Sequence, residues 1–332
     1  MKPSKSFWQL VVLFLSAPIA LAATNILVWP SPPDPARIAF TQCIQQPADA
    51  GARQSGVRRF ANWFSGAAVG NEKLSKPFGI AVDDQGGLCL TDTGLNTVAW
   101  LDPSSKRWRQ WDRVGDIRFS APVAVAKNGS VLFVADSALG AVIAFGIDGK
   151  LRFRIDHDLE RPSGLAIVGD RLWVTDVQRH CLVAFDLKGK FRSRFGKRGV
   201  GPGEFNFPTH AAADRDGRLY VTDSMNNRVQ VFDSNGTFQA QIGSAGDASG
   251  YFGRPKGVAV DSFGHVYIAD AAFDTIQIFD RTGAFLLSLG GSGSAPGEFW
   301  MPNGIAIDRE NRIYVSDAYN RRVQVLRYVG GQ

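Results

Sequence analysis

Cysteine is scarce in this chain of 332 residues, which contains only three cysteines and no Cys-x-x-Cys pair. So small and odd a number excludes a disulfide framework, and the missing spacing excludes a zinc module built on Cys-x-x-Cys. Cys89 lies in an expected inner strand, Cys43 in a segment expected to be the closing strand, and Cys181 in an expected loop between strands. We expect all three to be buried free thiols.

Histidine is also rare, and the four histidines, His157, His180, His210 and His265, do not have the spacing of metal ligands. The sequence has no nucleophile motif, and its glycine-rich segment GVGPGEF joins strands and does not open a phosphate-binding helix. Beyond the first residues, no apolar run is long enough to cross a bilayer. The sequence therefore predicts no bound metal and no cofactor.

Long helical periodicity is missing as well, and one block recurs six times in its place. Each block opens with Pro-x-small-apolar-Ala and reaches an aspartate about fifteen residues later, and both series step by 40 to 47 residues. Such a period in a chain rich in Gly, Val and Ile is typical of a β-propeller with one blade per repeat. The opening prolines are Pro77, Pro122, Pro162, Pro208, Pro255 and Pro302, and the aspartates are Asp92, Asp136, Asp176, Asp223, Asp270 and Asp317.

Each block shows the pattern of four strands joined by tight turns. In the fifth block we expect the strands near Gly257–Val260, His265–Ala269, Thr275–Phe279 and Phe285–Leu289. The predicted fold is all-β: a six-bladed β-propeller of four-stranded antiparallel blades. The propeller is expected to span residues 74–332, with blades that start near residues 74, 119, 159, 205, 252 and 299.

Small and large residues alternate in a way that suits packing around an axis. The second residue after each proline is Gly or Ala, except for His210 in the fourth block, and the fourth is always Ala. These positions share one face of a strand, so the innermost strands can approach closely. A large apolar residue three positions before each proline is expected to plug the space between blades, each removing roughly 1.5–3 kcal/mol of apolar surface from water. The plugs are Leu74, Phe119, Leu159, Phe205, Phe252 and Phe299.

The sixth block ends after its third strand, near Leu326. A ring that lacks one strand exposes an edge, so the missing strand must come from upstream. The segment Arg37–Ile44 alternates polar and apolar residues and is the predicted closing strand, within a region, residues 23–73, that precedes the propeller. The proline-rich segment WPSPPDP before it is expected to be extended.

The first 22 residues have the features of a secretory signal peptide. Lys2 and Lys5 precede the apolar stretch Phe7–Leu21, and small residues occupy the cleavage positions. We expect a mature chain that begins at Ala23 and lies in the periplasm or outside the cell. The alternative is that the segment stays as an N-terminal membrane anchor.

Several segments of the repeats resemble NHL repeats. They are PKGVAVD, HVYIAD, TIQIFD, RLYVTDSMNNRVQVFD and NRIYVSDAYNRRVQV, within a resemblance that covers Leu74 to Tyr328. In the first three blades LNTVAWLD, LGAVIAFG and RHCLVAFD stand in place of the Asn-Arg-Val-Gln string. The resemblance is nearest to secreted bacterial six-bladed NHL propellers of undefined role, and it implies the fold without implying an activity.

Two classes of enzyme with similar propellers bind metals at the central channel. The resemblance to amidating lyases implies zinc held by histidines directly after the blade prolines, and gluconolactonase-like propellers use carboxylate and amide ligands there. No histidine or carboxylate follows a proline here, and only Asn303 has a suitable oxygen, so a channel metal is not expected. The six residues are Phe78, Val123, Ser163, Thr209, Lys256 and Asn303.

The distribution of charge is more informative than the formal net charge of +6, which argues only for solubility. Loops that join strand four to strand one, and strand two to strand three, should emerge on one face and make it basic. Asp83, Asp214, Asp261 and Asp308 should lie at the opposite mouth, either as an acidic rim or bonded to the backbone of their own turns. The cations of this basic face are Arg179, Lys197, Arg198, Arg254 and Arg321, together with Lys73, Lys76, Arg161 and Lys256, while Arg228 and Arg322 either join them or are structural.

His210 stands out because it occupies a position that is small in every other block. We expect it near the mouth of the channel with Thr209, Lys256 and Asn303, and with Tyr319 and Asn320 on a neighbouring loop. Together these residues would bind an anionic or polyhydroxyl ligand. The alternative is that His210 fills space against a neighbouring blade.

The segment Gly56–Val69, GVRRFANWFSGAAV, combines two arginines with three aromatic residues. As a short helix it would place the aromatic side chains on one side and contact a membrane surface or a partner protein. The alternative is that it packs against the side of the propeller.

The sequence favours an exported, non-catalytic binding or scaffold module that meets a protein or an anionic glycan through the basic face. A first alternative is an enzyme, a lyase or a lactonase-like hydrolase, with its site around His210. A second is a nucleic-acid-binding NHL domain, which export and the lack of interleaved aromatic residues in the loops disfavour. Nothing in the sequence indicates an oligomeric state.

Overall fold

The computed structural model describes residues 26–53, 73–83 and 85–330. The expected signal segment with its cleavage point at Ala23, and the segment Gly56–Val69, lie outside the described residues. Within the described residues no helix is long and apolar enough to span a bilayer.

Six blades of antiparallel strands form the described part of the chain, which confirms the predicted fold class. Five of the blades have four strands and the sixth has five, and a separate two-stranded sheet, Arg113–Val114 with Ile117–Arg118, lies between the first and second blades in the sequence. The only helical elements described are two 3-10 turns, Pro47–Ala50 and Ser224–Asn226. The strands up to the end of the second blade are β1 (Val28–Trp29), β2 (Ile38–Ile44), β3 (Pro77–Val82), β4 (Leu88–Asp92), β5 (Thr97–Leu101), β6 (Trp108–Trp111), β7 (Arg113–Val114), β8 (Ile117–Arg118), β9 (Pro122–Asn128), β10 (Val131–Asp136), β11 (Ala141–Gly146) and β12 (Leu151–Ile155).

The remaining blades follow in chain order with one strand close to each opening proline. In the fifth blade the third strand has the predicted bounds, the second is shifted by one residue at both ends, and the first and fourth are longer than predicted by two residues and one residue. The strands are β13 (Pro162–Val168), β14 (Arg171–Asp176), β15 (Cys181–Asp186), β16 (Phe191–Phe195), β17 (Pro208–Ala213), β18 (Leu219–Asp223), β19 (Arg228–Phe232), β20 (Phe238–Ile242), β21 (Pro255–Val260), β22 (Val266–Asp270), β23 (Thr275–Phe279), β24 (Phe285–Gly290), β25 (Pro302–Ile307), β26 (Arg312–Asp317) and β27 (Arg322–Tyr328).

The ring is closed by the predicted N-terminal strand. Strand β2 pairs antiparallel with β27, with Ile38 opposite Tyr328 and Ile44 opposite Val323. Both isoleucines are almost fully buried, and the amide of Leu74 donates to the carbonyl of Gln45 at 2.8 Å, which ties the closing segment to the first blade. The free edge of the sixth blade is therefore covered.

The small residues of the innermost strands face the next innermost strand around the ring. A Cβ added to Gly79 would lie 2.6 Å from the carbonyl oxygen of Val123, in the second blade. One added to Gly304 would collide with the carbonyl oxygen of Phe78, so the sixth blade packs on the first as tightly as other neighbours do. At these two positions only glycine permits this approach, whereas the second and fourth blades have Ala124 and His210 at the equivalent position.

The six predicted plugs are all buried between blades. Each belongs to a different apolar cluster, and each cluster contains residues of two neighbouring blades. The phenyl ring of Phe205 lies 2.7 Å from where a Cβ on Gly196 would be, and Gly196 has a positive φ of 96°. The glycine at the end of the outer strand is therefore required both by its backbone and by the plug.

The six inner aspartates fasten the loops of each blade. Asp92 accepts hydrogen bonds from the backbone amides of Ser75 and Lys76, just before the inner strand, and from Gly94 and Leu95 in the loop between the second and third strands. The arrangement recurs at Asp136, Asp176 and Asp270, with three or four such amides at each. Asp223 and Asp317 each accept from one backbone amide, before the inner strand, and from asparagine and arginine side chains in place of the others. These carboxylates are saturated with donors and fix the loops that surround the channel.

The cysteines are free, as expected, but two details differ from prediction. Cys89 and Cys181 are buried, and burial raises the pKa of the Cys181 thiol to about 11. Cys181 begins strand β15 and does not lie in a loop, and Cys43 is only half-buried because the closing strand is near the edge of its sheet.

Candidate functional site

The central channel is lined by the innermost strands of all six blades. The space open to water-sized molecules is about 40 Å³. A single water needs about 10–15 Å³ by this measure, so the channel has room for a few atoms and not for a sugar ring or a nucleotide.

Of the predicted site residues, His210 lines this channel, and Lys256 and Asn303 lie close enough to act on its imidazole. Four side-chain atoms there are buried without a hydrogen-bond partner: Oγ1 of Thr209, both ring nitrogens of His210, and Oδ1 of Asn303. They are four of only ten such atoms in the part of the chain that the structure describes. Because buried polar groups in proteins are nearly always paired, this concentration marks a place for water or a ligand.

The imidazole of His210 points across the ring. It lies nearly parallel to the ring of Phe78, with centroids 6.3 Å apart, and Phe78 belongs to the opposite blade. Burial and then the charge of Lys256 lower the pKa of His210 to about 3, while the adjacent Asn303 side chain acts in the other direction. His210 is therefore neutral at physiological pH, and it narrows the channel as well as lining it.

Lys256 supplies the positive charge of this group of residues. Burial and then the neighbouring Arg254 lower the pKa of Lys256 to about 8. Its side chain forms no ion pair with any residue that the structure describes. We call Thr209, His210, Lys256, Asn303 and Phe78 the axial cluster.

The sequence predicted that Tyr319 and Asn320 would lie with the axial cluster, but in the structure both make other contacts. The amide of Asn320 donates to both carboxylate oxygens of Asp317 and to the carbonyl of Gly293, so it fastens a loop. Tyr319 is 48% exposed and contacts Trp300 instead. The Asn320 amide therefore has two acceptors in its own turn and a third, Gly293, in the loop before the innermost strand, and its predicted role in ligand binding stays a prediction.

Tyr319 belongs to an exposed aromatic pair that the sequence analysis missed. Its ring centroid lies 5.5 Å from that of Trp300, which is 54% exposed. The ammonium of Lys76, from the first blade, lies 5.0 Å from the Tyr319 ring centroid. The sequence does mark Trp300 as unusual. It lies two residues before the proline of its blade, where the other blades have Ser, Glu, Asn or Gly.

Only part of the predicted basic face carries unpaired charge. Arg179 pairs with Glu160 at 3.5 Å and Lys197 with Glu204 at 3.2 Å. Arg198, Arg254 and Arg321 are exposed and form no ion pair with the residues described. We call the side of the ring that carries these three arginines, Trp300 and Tyr319 the loop face.

Arg228 and Arg322 are structural. Arg322 is 5% exposed, pairs with Asp317 at 2.7 Å and donates to the carbonyls of Ser294, Ala295 and Glu298. Arg228 repeats this arrangement with Asp223 in the fourth blade. These two guanidinium groups are therefore not available to a partner on the loop face.

The four turn aspartates at the opposite mouth are also engaged by the protein itself. Each accepts hydrogen bonds from backbone amides two and four residues later, as Asp308 does from Glu310 and Arg312. Asp83 pairs with Lys127 at 2.7 Å, with both side chains less than 10% exposed. The expected acidic rim is therefore wrong, and the alternative of backbone-bonded turns is confirmed.

No group of three or more His, Cys, Asp or Glu side chains is placed to hold a metal ion in residues 26–53, 73–83 and 85–330. The polar atoms of the axial cluster include one imidazole and one amide oxygen, and no carboxylate is within it.

Comparison with known families places the repeats in one group. The family described as 6-bladed beta-propeller (DUF5128) matches residues 150–217, 210–273 and 262–328. These matches overlap and extend over more than half of the chain. No curated protein matches the sequence.

Solved structures with a similar fold differ widely in what their names state. Virginiamycin B lyase from Staphylococcus aureus has 14% identity and a TM-score of 0.57, over 77% of this chain and 96% of the lyase. A protein of unknown function from Bacteroides thetaiotaomicron has 15% identity and a TM-score of 0.58, over 76% of this chain and 70% of that one. The WD40 beta propeller domain of Doa1 has 9% identity and a TM-score of 0.56, over 75% and 78%. Such low identities show the fold alone.

Proposed function

This chain belongs to the 6-bladed beta-propeller family DUF5128, and from that premise we propose that it is an exported, non-catalytic binding module of the NHL-repeat type. Its partner is a protein that presents an acidic segment to the loop face. The observation that carries this proposal is the exposed Trp300–Tyr319 pair beside unpaired arginines.

The aromatic pair has the properties of an interface anchor. Tryptophan, tyrosine and arginine are the residues that most often dominate the energy of protein interfaces. Trp300 and Tyr319 keep about half of their surface exposed although they contact each other. Their loops are held by Asp317, which accepts from the backbone amide of Trp300 at 2.8 Å. A partner would therefore meet a surface that is already ordered, which limits the entropy lost on binding.

The charge around this pair favours an acidic partner. Arg321 follows Tyr319 by two residues, and Lys76 lies over its ring. Elsewhere on the loop face, Arg254 and Arg198 add two more exposed cations without ion pairs among the described residues. Complementary charge raises the rate of encounter and selects against basic partners.

The chemistry of His210 supports binding rather than proton transfer. A general base works best with a pKa near the operating pH, whereas burial and Lys256 lower the pKa of His210 to about 3. No carboxylate among the described residues acts on the imidazole to orient it as a base. These properties favour a binding role over the alternative lyase or hydrolase.

Loss of the loop-face anchor should abolish binding. We expect Trp300→Ala with Tyr319→Ala to weaken binding of acidic peptides by about a thousandfold, because each interface anchor is worth about 2 kcal/mol or more and about 1.4 kcal/mol is a factor of ten. Arg254→Glu with Arg321→Glu should weaken binding similarly and reduce its dependence on salt. The measurement is fluorescence anisotropy with an array of short peptides that combine Asp or Glu with a hydrophobic residue.

The matched control is Lys150→Glu with Lys188→Glu, which makes the same change of charge in exposed turns outside the loop face. These variants should bind as the wild type does. If the array detects no peptide but heparin binds and is lost in the loop-face variants, the partner is an anionic glycan. If the loop-face variants bind every probe normally, the proposal is wrong.

Export is tested by the N-terminus of the natural protein. We expect the chain to be recovered outside the cytoplasm with Ala23 as its first residue, because residues 1–22 have the pattern of a cleaved signal. Protein sequencing of the fraction that contains the protein gives the answer. A chain that begins at Met1 in the membrane fraction would instead indicate an N-terminal anchor.

A further inference from the structure

The axial cluster is a candidate ligand site separate from the loop face. Its unpartnered atoms come from different blades: Thr209 and His210 from the fourth, and Asn303 from the sixth. A hydroxyl, an imidazole and an amide in one buried place offer both donors and acceptors. Left without partners, they destabilise the folded protein, so an occupant other than protein is needed there.

Lys256 determines the charge of that occupant. It approaches the axis from the fifth blade and has no counter-ion among the described residues. The charged or titratable groups that act on it are Arg254, on its own blade, and His210, on the preceding blade. Neither is negative, and the inner aspartate of the blade, Asp270, accepts from the amides of Gly253 and Arg254. A partly buried cation without an anion favours an anionic ligand.

The size of the channel and the number of its cations restrict the anion further. About 40 Å³ of space open to water-sized molecules suits a group of a few heavy atoms. One ammonium matches one negative charge, whereas phosphate sites usually combine arginine with several backbone amides. The ring of Phe78 lies on the far side of the imidazole and offers an apolar wall beside the polar atoms.

We propose that the axial cluster binds a single carboxylate group, which pairs with the ammonium of Lys256 and accepts hydrogen bonds from the hydroxyl of Thr209 and from the ring N–H of His210. The carboxylate belongs either to a small free acid or to the side chain or C-terminus of a peptide. Both sources share the same chemistry, and only the second depends on the proposed partner of the loop face.

Acetate is the direct probe. Wild-type protein should bind it with a Kd on the order of 1 mM, since the best small ligands gain up to about 1.5 kcal/mol per heavy atom. The signals of the His210 imidazole in NMR spectra should shift with the same Kd. Lys256→Met should lower the affinity at least about tenfold, Thr209→Val should lower it less, and Lys188→Met, which removes an exposed charge outside both sites, should leave it unchanged.

The pH profile separates a specific carboxylate site from a merely polar cavity. With a pKa of about 8, Lys256 is charged below that pH and neutral above it in the free protein. Bound carboxylate raises this pKa, so binding takes up a proton above pH 8. The affinity of the wild type should therefore fall up to about tenfold per pH unit above pH 8, and the residual affinity of Lys256→Met should not.

Short peptides with one glutamate distinguish a free acid from a peptide as the source of the carboxylate. If such a peptide binds more tightly than acetate and loses that advantage in the Trp300→Ala, Tyr319→Ala variant, the carboxylate comes from a partner. If acetate binds as well as any peptide, the natural ligand is a free acid. In that case the axial site is supported even if the loop-face proposal is wrong. The proposal is overturned if acetate does not bind, if chloride and phosphate compete as well as acetate does, or if a folded Lys256→Met protein binds acetate normally.

Discussion

A chain from which residues 26–46 are deleted is expected to be insoluble or to lose its cooperative unfolding transition. Strand β2 covers the edge of β27 and contributes Ile38 and Ile44 to two apolar clusters between blades. Without it, the ring opens and a β-strand edge with apolar surface is exposed, which promotes aggregation. The loss exceeds what a domain with a stability of about 5–15 kcal/mol can tolerate. Circular dichroism melting and size-exclusion chromatography measure the outcome.

Point variants in the same strand make the test quantitative. Ile38 is fully buried opposite Tyr328, whereas Thr41 is exposed at an irregularity between Phe40 and Gln42. Ile38→Asp should destabilise the protein by about 4 kcal/mol or more, because it removes apolar burial and buries a carboxylate. Thr41→Asp should change stability by about 0.5 kcal/mol or less. If the deletion and Ile38→Asp both melt like the wild type, the ring does not depend on this strand.

The closing strand was predictable because the strand segments of each block can be counted in the sequence, and the sixth block has three where the others have four. The sixth block lacks its outer strand, and only one upstream segment near it has the alternation of a strand. The plugs were predictable for the same reason, since a fixed distance from the opening proline places each of them at the same point between two blades. Period and spacing therefore carry the architecture of a repeat fold.

The axial cluster was predictable in composition and not in detail. Thr209, Lys256 and Asn303 follow their prolines directly, and residues at one register of the innermost strands converge on one ring around the axis. The place of Phe78 opposite His210 was not predicted, because it depends on two blades that are far apart in sequence. Burial of the imidazole nitrogens depends on the same packing.

The loop face was harder to predict because its charges pair across loops. Arg179 is partly neutralised by Glu160, which belongs to a loop before the innermost strand of its blade. Asn320 has its amide directed inward at the carbonyl of Gly293. No periodicity in the sequence reports on such contacts, whereas an outlier such as Trp300 at an otherwise small or polar position is visible in an alignment of the repeats.

Acid should destabilise the wild-type protein more than a His210→Gln variant. The pKa of His210 is lowered to about 3 by burial and by Lys256, whereas an unfolded histidine has a pKa of about 6.5. Above pH 6.5 the imidazole is neutral in both states and contributes no pH dependence. Below pH 6.5 the unfolded chain binds a proton that the folded protein does not, so stability falls with pH by up to about 1.4 kcal/mol per unit.

The difference between the two proteins isolates this one group. Between pH 6.5 and pH 4 the wild type should lose up to about 3 kcal/mol more than His210→Gln, because carboxylates that titrate in the same range are common to both. His157→Gln is the matched control, since His157 is exposed in a loop, and its profile should follow that of the wild type. Urea unfolding at a series of pH values measures all three. Parallel profiles for wild type and His210→Gln would mean that the imidazole takes up its proton in the folded protein, which is incompatible with a buried axial histidine beside Lys256.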